Sequence, residues 1–275
     1  MYGGFITPPD DAGANFGVLF WHKDGFSTAC GHGTIALGYW AVEHKLVDVP
    51  LNGDVDVVID VPSGRVTAKI AIKDGEPTHG DFINVKSYQI AKDLNVTIPS
   101  RDLAIKVDLA FGGAVYAHVD SVQLALTVEP SKYIEFINLG REIKNCLGTR
   151  AHYDTYDLYG VIFYNEGRDE QDGNVRQRNV VIFADGQIDR SPCGSGTASR
   201  VAALMAQGRL DHGKGRLIHR SIIDTVFEAD VICKEQSPVE FPACIPRVRG
   251  TANLVGRMSF FIDPSEDVFP GFLLR

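Results

Sequence analysis

The sequence predicts a mixed α/β protein of the α+β type, with largely antiparallel sheet wrapped on few helices. Three observations lead there. Strand-like runs far outnumber helical ones, they follow one another as hairpins rather than alternating with helices, and two of the three helical runs sit in matching contexts. Each of those two follows a strand, a turn, a cysteine and a stretch of small residues. This weak repeat at domain scale suggests two similar halves facing each other.

In chain order, Phe16–Trp21 reads as a buried strand ending at the Lys23-Asp24-Gly25 turn. A helix follows over Thr34–Val42. Val55–Val61 and Arg65–Ile72 flank Pro62-Ser63-Gly64 as a hairpin. Lys86–Ser100 is the longest stretch of weak pattern, and the expected crossing between the halves. Ile105–Leu109 and Val115–Val119 straddle Gly112-Gly113. Tyr133, Phe136, Ile137, Ile143 and Leu147 mark one face of a helix from about Ser131 to Leu147. Tyr159–Tyr164 and Asn179–Phe183 straddle a polar loop, and a third helix spans Thr197–Gln207, with Gly208 as its stop. Thr225–Ile232 and Met258–Ile262 complete the strands.

The 275 residues suffice for one large domain or two ordinary ones. A hydrophobic share of 44%, a charged share of 23% and a mean hydropathy of −0.04 belong to a globular chain. The net charge of −8 disfavours nucleic acid and anionic membrane as partners. No apolar run approaches the ~20 residues of a membrane span, and the N-terminus lacks signal-peptide character. Five cysteines without a CxxC pair argue against a disulfide scaffold and a zinc site, which makes a reducing cytoplasm the expected compartment.

Two segments carry the chemistry: Ala29-Cys30-Gly31-His32-Gly33-Thr34 and Asp189-Arg190-Ser191-Pro192-Cys193-Gly194-Ser195-Gly196-Thr197. A cysteine at a helix N-terminus meets unpaired N–H groups and the positive end of the dipole, which lowers a thiol from ~8.5 towards ~3.5–7.5. Small neighbours let a ligand approach those N–H groups. One such site suggests a reactive cysteine; two suggest a paired acid and base. Cys146, Cys233 and Cys244 read instead as buried apolar filler. Gly31-x-Gly33 and Gly194-x-Gly196 lack the remaining elements of a nucleotide loop. His32 alone admits a structural role and has no companions spaced for a metal. Asp189 alone admits a turn or cap with Ser191.

These residues resemble the two signatures of the proline racemase family, which comprises proline racemases, 4-hydroxyproline 2-epimerases and trans-3-hydroxy-L-proline dehydratases. The resemblance runs through Met1-Tyr2-Gly3, Phe111-Gly112-Gly113-Ala114, Phe183-Ala184-Asp185-Gly186-Gln187, Ser221-Ile222-Ile223 and Gly271-Phe272-Leu273-Leu274. It implies the diaminopimelate epimerase type of fold: two α/β halves, each wrapping sheet round a central helix, with the site in the cleft between. Residues 1–88 with 257–275 would form one half and 89–256 the other.

The implied function is cofactor-independent inversion at Cα of proline or 4-hydroxyproline, with Cys30 and Cys193 as acid and base on opposite faces. Two sulfurs each about 3.5 Å from Cα lie roughly 7 Å apart. Gly31, His32, Gly194 and Ser195 would aim N–H groups at the substrate carboxylate. His32 and Asp189 match positions that contact the ring nitrogen, and Tyr2 and Phe183 match aromatic positions lining the pocket. The dehydratase branch carries threonine at the position of Cys193. The expected partner is a small imino acid; no cofactor, metal, nucleic acid or membrane is expected, and a homodimer is left open. Ser195 stands where many members have threonine, and Asp224 where many have glycine. Members also carry a segment ahead of the Met1-Tyr2-Gly3 match, with a His-Thr-x-Gly-Glu-Pro run absent here. A sheet lacking those strands is expected to expose Phe5, Phe16 and Phe20, to associate and to be poorly active.

Overall fold

The computed structural model describes residues 2–168 and 170–268. Met1 and the Gly271–Leu274 match therefore lie outside the described residues. The chain opens with β1 (Tyr2–Thr7), β2 (Phe16–His22), β3 (Gly25–Ser27) and α1 (Gly31–Glu43), then β4 (Gly53–Val61), β5 (Gly64–Lys73) and β6 (Glu76–Ile83). There follow β7 (Ser87–Ile98), β8 (Leu103–Phe111), β9 (Val115–Asp120) and α2 (Tyr133–Leu147). β10 (Leu158–Glu166), β11 (Val175–Phe183) and β12 (Gln187–Ile188) lead to α3 (Gly194–Ala206), and β13 (Leu217–Ser221), β14 (Val226–Glu235) and β15 (Ala243–Gly250) follow it.

One sheet runs β1-β2-β4-β5-β6-β15-β14-β13-β11-β10-β9-β8-β7, and β15 pairs again with β7. The strands from β7 to β15 thus close on themselves, and α3 threads the ring: every residue from Gly194 to Met205 is buried. β1 to β6 form an open curl over α1, and β15 serves both halves. Pairing is antiparallel except at β2/β4, β9/β10 and β11/β13. The mixed, strand-rich architecture expected from the sequence is the one found.

Local sequence accounts for these elements. β4 and β5 bury alternate residues (Val55, Val57, Ile59; Val66, Ala68, Ile70) and turn at Gly64, whose φ is +129°. α1 lays Ile35, Ala41 and Val42 on that face, and a fully buried isoleucine or valine contributes about 1.5–3 kcal/mol. α3 stops where Gly208 takes φ +71° and Arg209 N–H bonds the Leu204 carbonyl at 2.9 Å. α2 lies outside the ring and buries Phe136, Leu139, Ile143 and Leu147. The halves are tied by Thr28 Oγ1 donating to the Gly113 carbonyl (2.7 Å), Asn84 Nδ2 to that of Gly112 (2.8 Å), and a Lys23–Asp185 ion pair.

Several expectations are corrected. Most of Lys86–Ser100 is the long strand β7. Two bulges between Gln89 and Leu94, with Asp93 at φ +55°, reset its alternation and hide it. Met258–Ile262 forms no strand despite its pattern; Met258, Phe260, Phe261 and Ile262 are exposed and pair with no sheet edge among the described residues. Phe5 is exposed, but Phe16 and Phe20 are buried, because they point from β2 onto the core over α1. Of the cysteines read as filler, Cys244 is buried while Cys146 and Cys233 are only half-buried.

Candidate active site

α1 and α3 meet N-terminus to N-terminus. A Cβ placed on Gly194 would lie 2.6 Å from Gly31 Cα and 2.7 Å from His32 N, and one on Gly31 would lie 2.8 Å from the Gly194 carbonyl carbon. No larger residue fits at either position without driving the helices apart. The first N–H groups of each helix have no intrahelical partner, so those of Gly31, His32, Gly194 and Ser195 gather at one spot. Two helix dipoles of like sign point at each other there, which disfavours the empty arrangement and favours an anion between them.

The two cysteines cap these helices in different ways. Cys30 is extended (φ −148°, ψ 99°) and its Sγ accepts the Gly33 N–H at 3.3 Å. Cys193 has φ +66° and ψ 118° and makes no side-chain cap bond. For a residue with a Cβ this backbone costs about 1–3 kcal/mol, and it persists only where its surroundings impose it. Tyr116 Oη lies 3.5 Å from Cys193 Sγ and 2.7 Å from Ser195 Oγ.

The sequence argument lowers both thiols; the structure raises them. Burial pushes Cys30 up to about 11, against the pull of the Gly33 N–H. Burial, and then the Asp189 carboxylate, push Cys193 well above the ordinary thiol value, with Tyr116 pulling back. Desolvation outweighs the helix ends. The resulting thiolates are scarce but strongly basic, which suits removal of a weakly acidic C–H proton.

The other expected residues come together round this point. Tyr2 and Phe183, from opposite halves, make an edge contact at 6.2 Å. Asp189 Oδ1 accepts the Ser191 N–H (2.8 Å) and hydroxyl (2.9 Å), so the turn read for it exists. Its carboxyl is raised by burial, while the Ser191 groups and nearby His32 pull it down. His32 Nε2 lies 3.0 Å from the Thr251 carbonyl and its ring meets Phe227 edge-on.

Sequence reasoning missed Tyr116, Tyr159 and His22. Tyr159 stacks on Phe183 (5.8 Å, 8°) and contacts Tyr116 and His22 edge-on. Behind the site, His118 Nε2 meets Ser199 Oγ at 2.9 Å. Two residues along β9 advance about 6.7 Å and four along α3 advance about 6 Å, so the pairs Tyr116–Ser195 and His118–Ser199 register strand on helix. Period-two spacing puts Tyr116 and His118 on one face, but nothing local names their partners.

Asp224, in its turn, has φ +68°, a conformation natural to glycine and tolerated by aspartate; its carboxylate pairs with Arg178. Among the described residues no group of three or more His, Cys, Asp or Glu is placed to hold a metal, and no helix is long and apolar enough to cross a membrane. A cavity of about 750 Å³ opens elsewhere, between Val128, Asn165, Arg176 and Arg220.

The fold is strand-rich, and two helix N-termini, each preceded by a cysteine, meet head to head within it. Residues 1–273 match the family model described as proline racemase. A trans-3-hydroxy-L-proline dehydratase of Bacillus cereus is 39% identical over 100% of this chain and 81% of its own length. A 3-hydroxyproline 2-epimerase of Burkholderia multivorans is 36% identical over 100% of this chain and 82% of its own. A hydroxyproline epimerase of Agrobacterium vitis, solved with bound trans-4-hydroxy-L-proline, superposes with a TM-score of 0.89. At 24% identity it covers 98% of this chain and 77% of that one, and bears on the fold alone. The chain belongs to the proline racemase family and is an enzyme of that family.

Proposed function

We propose that this enzyme inverts Cα of a proline-like imino acid, proline or 4-hydroxyproline, by a two-cysteine acid–base mechanism without a cofactor. The observation that carries the reading is the head-to-head contact of Gly31 and Gly194, each preceded by a cysteine; in this reading the two thiols flank one anion-binding point. The substrate carboxylate sits against the N–H groups of Gly31, His32, Gly194 and Ser195, where they also stabilise the charge that grows on it as the Cα proton leaves. The ring ammonium faces Asp189 and His32, and Tyr2 and Phe183 enclose the ring. One sulfur, as thiolate, takes the proton from one face; the other, as thiol, returns a proton to the opposite face. The ammonium also offsets the desolvation that keeps the thiols neutral. In this reading residues 1–88 with 257–275 form one half and 89–256 the other, and the protein acts in the cytoplasm.

A dehydratase reading is favoured by the names of several relatives, that of Bacillus cereus among them. Removal of the Cα proton from 3-hydroxyproline, with departure of the 3-hydroxyl as water, leaves an enamine that tautomerises to a cyclic imine. Proton NMR in D2O, with polarimetry or chiral chromatography to read the configuration of proline, separates the readings. With proline and 4-hydroxyproline, deuterium is expected at Cα together with the opposite configuration; with 3-hydroxyproline, no imine is expected. Imine formation without inversion replaces the proposal by the dehydratase. Binding of pyrrole-2-carboxylate with no exchange from any of these substrates reduces the protein to a non-catalytic binder.

A further inference from the structure

The positive φ of Cys193 is not fixed by its own turn alone, where its N–H meets Ser191 Oγ. The rest of its support lies on β11 and in the first turn of α3. Asn179, fully buried on β11, donates from Nδ2 to the Pro192 carbonyl at 2.8 Å. Thr197 Oγ1 donates to the same oxygen at 3.3 Å and lies 2.9 Å from His219 Nδ1. On the other side of that peptide unit, the Cys193 N–H donates to Ser191 Oγ at 3.1 Å. The next peptide unit is fixed by Thr197 N–H on the Cys193 carbonyl at 2.7 Å.

We propose that Asn179 is a positioning residue for the reaction: by holding the Pro192 carbonyl it locks the Pro192–Cys193 peptide plane, and so the direction of the Cys193 thiol. The proposal rests on the reading of Cys193 as one of the two acid–base groups. With both flanking peptide planes clamped, neither φ nor ψ of Cys193 can relax towards the ordinary extended cap. Cys30 reaches its helix in an extended conformation and needs no such clamp. Asn179 Oδ1 has no protein partner among the described residues. The residue therefore leaves a buried acceptor orphaned, an arrangement costly to stability alone. What it supplies is the donor.

The test uses Asn179→Leu, which keeps the branching and the number of side-chain heavy atoms and removes the donor and the orphaned acceptor together, and Thr197→Val, which removes the second donor to the same carbonyl. For Asn179→Leu the expected result is a kcat about tenfold or more below wild type, with KM within about threefold, because misaiming the thiol impairs the chemical step more than binding. The ratio of iodoacetamide labelling at Cys193 to that at Cys30, read by peptide mass spectrometry in the same molecules, shifts with it; general loosening of the protein moves both sites. Thr197→Val changes both readouts in the same direction and by less, its bond being longer. A folded Asn179→Leu enzyme with wild-type kcat and labelling ratio overturns the proposal. If that variant does not fold, unchanged kcat and labelling ratio in Thr197→Val overturn it. If the wild type shows no Cα exchange, the acid–base reading falls instead, and the labelling ratio alone decides the clamp.

Discussion

The N-termini of α1 and α3 are built from similar sequence and arrive at their common point by different physics. At α1 the cap is regular: Cys30 is extended, half-buried and takes the Gly33 N–H, and the helix rests on an open curl of sheet with Ile35 and Val42 in an apolar core. At α3 the helix is enclosed on all sides, Cys193 is held in a costly conformation, and although Ala198, Val201 and Leu204 join the same apolar core, Ser195, Thr197, Ser199 and Arg200 lie on a polar bed. Arg200 is fully buried with its charge on Gln177 (2.8 Å) and over the Tyr164 ring (3.8 Å), and His118 and His219 lie near it. The difference teaches that one motif type needs two supports. The helix on the open sheet is seated by apolar packing, whereas the helix inside the closed ring adds to its apolar packing hydrogen bonds in register with the strands.

The largest effect is expected from breaking the contact that unites the two ends. Gly194→Ala must push the helices apart by displacing backbone at Gly31 and His32. A displacement near 1 Å costs about 100-fold in rate, so kcat for inversion is expected to fall by at least about that factor. Gly31→Ala should do likewise, through both Gly194 and Phe82. Near-wild-type kcat in either variant shows that the two N-termini are not a single site.

Next comes the hydroxyl peculiar to the α3 end. Tyr116→Phe removes the group facing Cys193 and Ser195 and leaves Cys30 with its own cap. About a tenfold loss of kcat/KM is expected, with the rise of kcat/KM with pH moved further alkaline, since the hydroxyl pulls the Cys193 thiol down. An unchanged pH profile removes Tyr116 from the acid–base machinery.

The smallest effect, on stability rather than rate, concerns the polar bed. Burial, and then Arg200, hold His219 down to about 3, and His118 is also held well below its ordinary value. Both are depressed in the folded state, so their contribution is complete above the ordinary histidine value near 6.5. As pH falls below it the unfolded chain takes up protons that the native protein refuses. Stability is then lost at about 1.4 kcal/mol per pH unit per histidine. Denaturant melts at pH 7, 5 and 4 should show this, and His219→Gln should lessen the slope by about that amount. An equal slope in the variant contradicts the buried neutral assignment.

Which parts were legible in the sequence follows the same divide. The β4/β5 hairpin was readable because alternation and a glycine turn are local, and so were both cysteine motifs. The enclosure of α3 was not. Ser195, Thr197, Ser199 and Arg200 make the helix look polar on several faces, and their side-chain partners Tyr116, His219, His118 and Gln177 come from the distant strands β9, β13 and β11. β7 hid behind its bulges, and Met258–Ile262 shows the converse, a strand pattern without a partner. The sign of the thiol shifts was misjudged for the same reason: the helix end is written in the motif, but the burial that outweighs it comes from the whole fold.

The central claim is that one thiol serves each face of Cα, and single-cysteine variants given each pure enantiomer in D2O, with exchange read by proton NMR and inversion by polarimetry, test it most directly. Cys30→Ser and Cys193→Ser should each lower inversion by about 100-fold or more. Each should retain Cα exchange from only one enantiomer, L for one variant and D for the other. Inversion at near-wild-type rates in both variants, or exchange from the same enantiomer in both, contradicts the account.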